Sequence, residues 1–88
     1  MKQKKLHISE NCISEKLDNE LIILDLESGL YHSLNKLGSI IWHEIKDKNP
    51  SYQMLKNSML QKYTGENIVE DFDLFLKELE EKKMIFLQ

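Results

Sequence analysis

The side chains able to do chemistry are few and scattered. His7, Cys12, His32 and His43 are the imidazoles and the single thiol. No two of them stand at the short spacing from which metal sites are built. Cys12 has no basic surroundings in sequence that would hold a thiolate, so it reads as a small, half-buried residue rather than a nucleophile. Asp25 and Glu27 in "DLES" flank a turn, and solvation explains that pair better than acid–base work. A Gly-rich phosphate loop, a G-x-S-x-G elbow and a His-Glu-x-x-His helix are all absent from the sequence. Trp42, Phe72 and Phe75 could stack bases, but they stand beside Ile and Leu at helical spacing, which is the pattern of a core. The expectation is a chain with no catalytic residue, no metal site and no cofactor.

Size and charge bound what remains. A chain of 88 residues is one domain. Such a chain buries roughly 60% of its unfolded surface or a little more, enough for one modest core. Apolar residues make up 41% and charged residues 31%, which is ordinary for a globular protein in water. The formal charge of −3 supplies no basic excess for gripping phosphates. One cysteine allows no internal disulfide and suits a reducing compartment. "MKQKK" is not followed by the apolar stretch of a signal peptide. "LIIL" is far too short to span a bilayer. The expected setting is therefore cytoplasmic, with no membrane partner.

The elements that must position any site follow from periodicity. "CISEKL" alternates Ile13, Glu15 and Leu17 and predicts an amphipathic strand. Asp18-Asn19 suits a tight hairpin turn. "ELIILDL" is apolar on both faces until Asp25 and predicts the central strand. Glu27-Ser28-Gly29 forms the next turn, with Gly29 free to take a positive φ, and "LYHSL" is a third strand. Leu6 and Ile8 are weaker candidates for extending the N-terminus along this meander and covering its first strand.

Asn35 is the expected N-cap of a helix over Lys36–Lys46, in which Leu37, Ile40, Ile41 and Ile45 recur. Gly38 within it costs about 1 kcal/mol relative to alanine, which points to close approach by another backbone. Pro50 marks the loop before a second helix, capped by Ser51, with Tyr52, Leu55, Met59, Leu60 and Tyr63 as its stripe. Gly65 is its expected stop and Asn67 the cap of a third helix. The stripe of that helix is Ile68, Phe72, Phe75, Leu76 and Leu79, and Lys82-Lys83 suit its C-terminal end. "MIFL" is an apolar tail that must pack somewhere. Strands first and helices after mean an α+β fold: a three-stranded antiparallel meander followed by three helices, similar to a winged helix-turn-helix.

That outline raises a DNA-binding reading, which charge opposes. The third helix would enter the groove of the duplex. Yet Glu66 to Lys83 carries Glu66, Glu70, Asp71, Asp73, Glu78, Glu80 and Glu81 against Lys77, Lys82 and Lys83. Such a surface repels phosphate, so no nucleic-acid partner is expected.

The strand "LYHSL" carries none of the devices that blunt a sheet edge: no lysine, no proline and no charge. Its backbone could template an incoming extended peptide, with the third helix as the opposite wall of a groove. The residues alone equally allow the tail or a second copy to cover that edge.

"LDLESGLYHSLNKLGSIIWHEI" resembles the signature of the PqqD-like family. The matching residues are Leu24, Asp25, Gly29, Tyr31, Leu34, Asn35, Gly38, Ile41 and Trp42. "MLQKYTGENIVEDFDLFLKELEEKKMI" is similar to that family's second and third helices, so the likeness runs from Cys12 to Ile85. His32 departs from the pattern, standing where the family often has a second aromatic. The resemblance implies a recognition element for ribosomally made, post-translationally modified peptides. Its partners would be the precursor's leader peptide and a processing enzyme, a leader peptidase or another modifying enzyme.

The leader would add as a strand along Leu30, Tyr31, His32, Ser33 and Leu34, with its side chains on Leu34, Phe72, Phe75 or Leu76. Free-standing chains of this length resemble the leader-binding proteins of lasso peptide pathways. The alternative within the family is a peptide chaperone for a radical-SAM enzyme, and a winged-helix DNA-binding regulator is the alternative outside it.

Overall fold

The computed structural model describes residues 4–18, 20–63, 65 and 67–88. The chain runs β1 (Leu6–Ile8), β2 (Cys12–Leu17), β3 (Glu20–Asp25), β4 (Leu30–Leu34), α1 (Lys36–Lys48), α2 (Tyr52–Lys62), α3 (Ile68–Glu81) and β5 (Ile85–Leu87). The fold is α+β, as expected, with the antiparallel meander β2-β3-β4 preceding the three helices. Leu21 and Ile23 of β3 and Leu34 of β4 face a core completed by Ile41, Trp42, Ile45, Leu55, Met59, Phe72, Leu76 and Leu79, all buried. Trp42 and Phe72, at 1% and 2% exposure, are core residues and no platform for bases.

The two ends of the chain depart from expectation together. Leu6 and Ile8 do not extend the meander; β1 pairs with β5 in a separate two-stranded sheet, Leu6 opposite Leu87 and Ile8 opposite Ile85. The pairing gives the apolar tail its place, since Leu6, Met84 and Ile85 are all buried by it. Leu6 N–H also donates to the Pro50 carbonyl at 2.8 Å, which ties this ribbon to the α1–α2 loop.

Helix ends explain how the chain reaches that arrangement. Asn35 and Ser51 cap as expected, accepting from Gly38 N–H at 2.7 Å and Met54 N–H at 3.2 Å. α1 runs one half-turn beyond Lys46 and stops at Asn49, whose φ of 46° is left-handed. α2 ends without help from Gly65: Tyr63 turns extended, and Gly65 is not in the left-handed region. Asn67 makes no side-chain cap; Glu70 and Asp71 in the first turn serve the N-terminus of α3 instead.

At the far end of α3, Lys83 takes φ 59°. Lys83 N–H donates to Glu80 O at 3.0 Å and Met84 N–H to Leu79 O at 2.9 Å. That pair of bonds is the Schellman motif, with lysine where glycine is usual, and it turns the tail back onto β1. The stripe of α2 is narrower than predicted: Leu55 and Met59 are buried, Tyr52 and Leu60 exposed. Tyr52 Oη donates to Asp73 of α3, clamping the two helices, and that bond pushes its pKa up to about 12.

The expected hairpin turn at Asp18-Asn19 is half described: Asp18 has φ 54°, and Asn19 lies outside the described residues, as do Thr64 and Glu66.

Candidate peptide-binding edge

β4 is the outer strand of the meander, and β5 is paired elsewhere, so among the described residues no strand occupies its far side. Which of its backbone groups face that side follows from the register. Leu26 N–H donates to Asn11 O at 2.8 Å, and residues 11 and 26 are opposite one another if the β2–β3 register is extended by one. Antiparallel pairs alternate between bonded and non-bonded. Leu24 and Ile22 therefore bond to β2, while Leu21, Ile23 and Asp25 bond to β4. Their partners are Leu34, His32 and Leu30. Tyr31 and Ser33 are left to direct both their N–H and their C=O groups to the open side.

Both ends of β4 are pinned. Asp25, buried at 9% exposure, accepts from Glu27 N–H and from Ser28 Oγ, each at 3.0 Å. Gly29 N–H donates to the Asp25 carbonyl at 2.7 Å, and Gly29 has φ 75°, which a side chain would resist. Ser28 Oγ accepts from Leu30 N–H at 3.2 Å. At the other end the Asn35 cap starts α1 at once. The strand is held between a locked turn and a capped helix.

Side chains divide by face. Leu34 is buried and His32 half-buried on the inner face, opposite Leu21 and Ile23. Tyr31, 71% exposed, and Ser33 lie on the outer face, where Ser33 Oγ donates to Glu20 Oε2 at 3.0 Å. On the inner side a groove of about 400 Å³ separates β4 from α3. β4 and the start of α1 contribute Tyr31 to Asn35; α3 contributes Phe75, Glu78, Leu79 and Lys82; Met84 closes the groove.

Of the expected binding residues, the structure brings Tyr31, His32, Ser33, Leu34 and Phe75 together at this groove. Leu30 is 59% exposed at the start of the strand. Phe72 and Leu76 do not line the groove; they are buried in the core. Glu78, Leu79 and Lys82 were missed as wall residues. With Phe75 they stand at i, i+3, i+4 and i+7, so extending one stripe from Phe75 would have found them. Gly38 has a different reason from the one expected. The nearest atoms are side chains rather than backbone: a Cβ there would sit 3.2 Å from Phe75 Cζ and 3.2 Å from Asn35 Oδ1. The missing side chain lets the Phe75 ring lie over the start of α1.

β2 is the other edge of the meander; contrary to expectation, Leu6–Ile8 pairs with β5 and, among the described residues, no strand covers that edge. It carries exposed Glu15 and Lys16, which discourage pairing. A larger cavity of about 910 Å³, between Lys5, the end of α1 and the start of α2, has neither open edge beside it. Among the described residues no group of three His, Cys, Asp or Glu is placed to hold a metal ion, and no helix is long and apolar enough to cross a membrane. Burial, helped by the Asp25 carboxylate, raises the Cys12 thiol above its ordinary pKa.

The family model for coenzyme PQQ synthesis protein D (PqqD) matches residues 20–85 of this chain. The chain belongs to the PqqD family. The matched span starts with β3 and includes the whole of β4 and α3, the two walls of the groove. Two solved structures share the fold of this PqqD-family chain. The first is described as TbiB1 in complex with the TbiA(beta) leader peptide, at 25% identity and TM-score 0.75, covering 90% of this chain and 93% of TbiB1. The second is a lasso peptide synthetase B1 complexed with the leader peptide, at 20% identity and TM-score 0.77, covering 93% of this chain and 98% of its own. Among curated proteins none matches.

Proposed function

We propose that this chain binds the leader of a ribosomally made precursor peptide as a strand added to β4, and delivers it to a processing enzyme of lasso peptide biosynthesis. The observation that carries the reading is the unpaired β4 edge beside the α3 groove. TbiB1, of the same fold, was solved with a leader peptide. The guest runs antiparallel to β4, because that continues the meander and antiparallel ladders are slightly the more stable. Tyr31 and Ser33 exchange backbone hydrogen bonds with it, each contributing about 0.5–1.5 kcal/mol net. Apolar guest side chains on Leu34, Phe75 and Leu79 add about 1.5–3 kcal/mol each when fully buried. Ordering a flexible peptide offsets several kcal/mol, leaving an affinity of roughly micromolar to tens of nanomolar.

The chain performs no chemistry in this account. It raises the effective concentration of the precursor's cleavage site near a leader peptidase. Within the family, the match to a coenzyme PQQ synthesis protein favours a second reading, a peptide chaperone for a radical-SAM enzyme. Both readings use the same edge. The test is titration of this protein with the leader of the precursor encoded beside its gene, and separately with duplex DNA. Saturable leader binding at micromolar concentration or tighter is the expected result. Salt-sensitive DNA binding without any response to leader would refute the proposal. Faster cleavage of the precursor by a neighbouring peptidase, in the presence of the chain, separates the lasso reading from the radical-SAM one.

A further inference from the structure

The groove changes character along its length. Phe75 marks the end next to Leu34, since its ring lies over Gly38 at the start of α1. Glu78 and Lys82 carry the α3 wall about one and two turns away from that end, and they pair with each other at 3.0 Å. His32, half-buried on the inner face, lines the same groove two residues before Leu34. Leu34 and Phe75 thus make one end apolar, and His32 is the polar side chain that β4 adds next along the groove.

The register decides what meets each end. His32 and Leu34 bond to β3, so a guest makes its non-bonded pairs with them. In such pairs the two strands stand closest and side chains touch most directly. The guest residues opposite Tyr31 and Ser33 point outward, whereas those opposite Leu34 and His32 point into the groove, two residues apart. Resting on the strand-addition reading above, we propose that the groove selects guests by an apolar–x–polar pattern. An apolar side chain packs against Leu34 and Phe75. Two residues later in an antiparallel guest, a hydrogen-bonding side chain meets His32.

The physical reason is desolvation. A strand laid over β4 takes water from the His32 ring. An aliphatic guest residue there leaves polar atoms unpartnered, and a hydroxyl or amide replaces the lost water. His32 is then a specificity-determining residue, and its replacement by an aromatic should turn the polar end apolar.

The experiment selects binders from a displayed library of random ten-residue peptides, on the unaltered protein and on His32→Phe. Each pool is then retested on Tyr31→Pro. The expected result is a pool from the unaltered protein in which polar residues are favoured about tenfold at the second position. On His32→Phe the preference there should reverse to apolar residues by a similar factor. Pools that need the edge, as shown by loss of binding on Tyr31→Pro, yet carry the same preference on both proteins would overturn the inference and leave strand addition standing. Failure to recover any pool, or pools indifferent to Tyr31→Pro, would remove strand addition and this inference with it.

Discussion

Proline placed at two neighbouring positions of β4 should have opposite consequences. Tyr31 directs its N–H to the open side, by the alternation that the Leu26–Asn11 bond sets, and His32 directs its N–H to Ile23. In Tyr31→Pro the β3–β4 ladder keeps its bonds. Proline with its nitrogen facing outward is the form that edge strands accept. Thermal stability should therefore change little. Leader binding loses a donor, and the guest carbonyl opposite is left unpartnered and desolvated, at a cost of about 1–3 kcal/mol. That corresponds to roughly 5- to 150-fold in dissociation constant.

His32→Pro instead removes a bond inside the sheet, next to Ile23 at 0% exposure, and should lower the melting temperature or prevent folding. Circular dichroism melts and fluorescence anisotropy with a labelled leader read both effects. The reasoning is refuted if Tyr31→Pro folds and binds leader undiminished, or if the two prolines are equally destabilising.

Other substitutions separate core from groove. Phe72→Ala should cost about 3–5 kcal/mol in chemical denaturation as a core truncation. Phe75→Ala, from a half-buried side chain, should cost less stability and proportionally more leader affinity in the same titration. Gly38→Ala places a methyl 3.2 Å from the Phe75 ring. It should shift stability by no more than about 1 kcal/mol, because the helix-propensity gain offsets the crowding, while weakening leader binding several-fold by moving that ring. For Tyr52, the folded pKa of about 12 lies above its ordinary value, so the folded state holds the phenol proton more tightly. Its stabilising contribution is complete below about pH 10 and disappears as pH rises from 10 to 12. Urea midpoints measured across that range should fall more steeply for the native protein than for Tyr52→Phe.

The meander, the three helices and two of the caps were readable in the sequence because each rests on local rules. Alternation marks a strand face, and Asn35 and Ser51 stand where an N-cap must. The free edge was readable only as a possibility, since its vacancy depends on where the tail goes. Nothing local decides that "MIFL" pairs with Leu6–Ile8. The turn that sends it there uses Lys83 in a left-handed conformation that lysine rarely takes, so no glycine advertised it. The groove wall suffered from a related ambiguity. Phe72, Phe75, Leu76 and Leu79 share one apolar stripe, and periodicity cannot say which edge of the stripe faces β4. Gly38 signalled crowding correctly, but a glycine does not reveal whether a backbone or the Phe75 ring fills its space.

Amide hydrogen exchange along β4 tests the central claim most directly. In the free protein the Tyr31 and Ser33 amides should exchange fast while those of His32 and Leu34 are protected, and saturating leader should protect Tyr31 and Ser33 as well. Protection of Tyr31 and Ser33 without any guest, or their continued fast exchange in the leader-bound protein, would contradict the account.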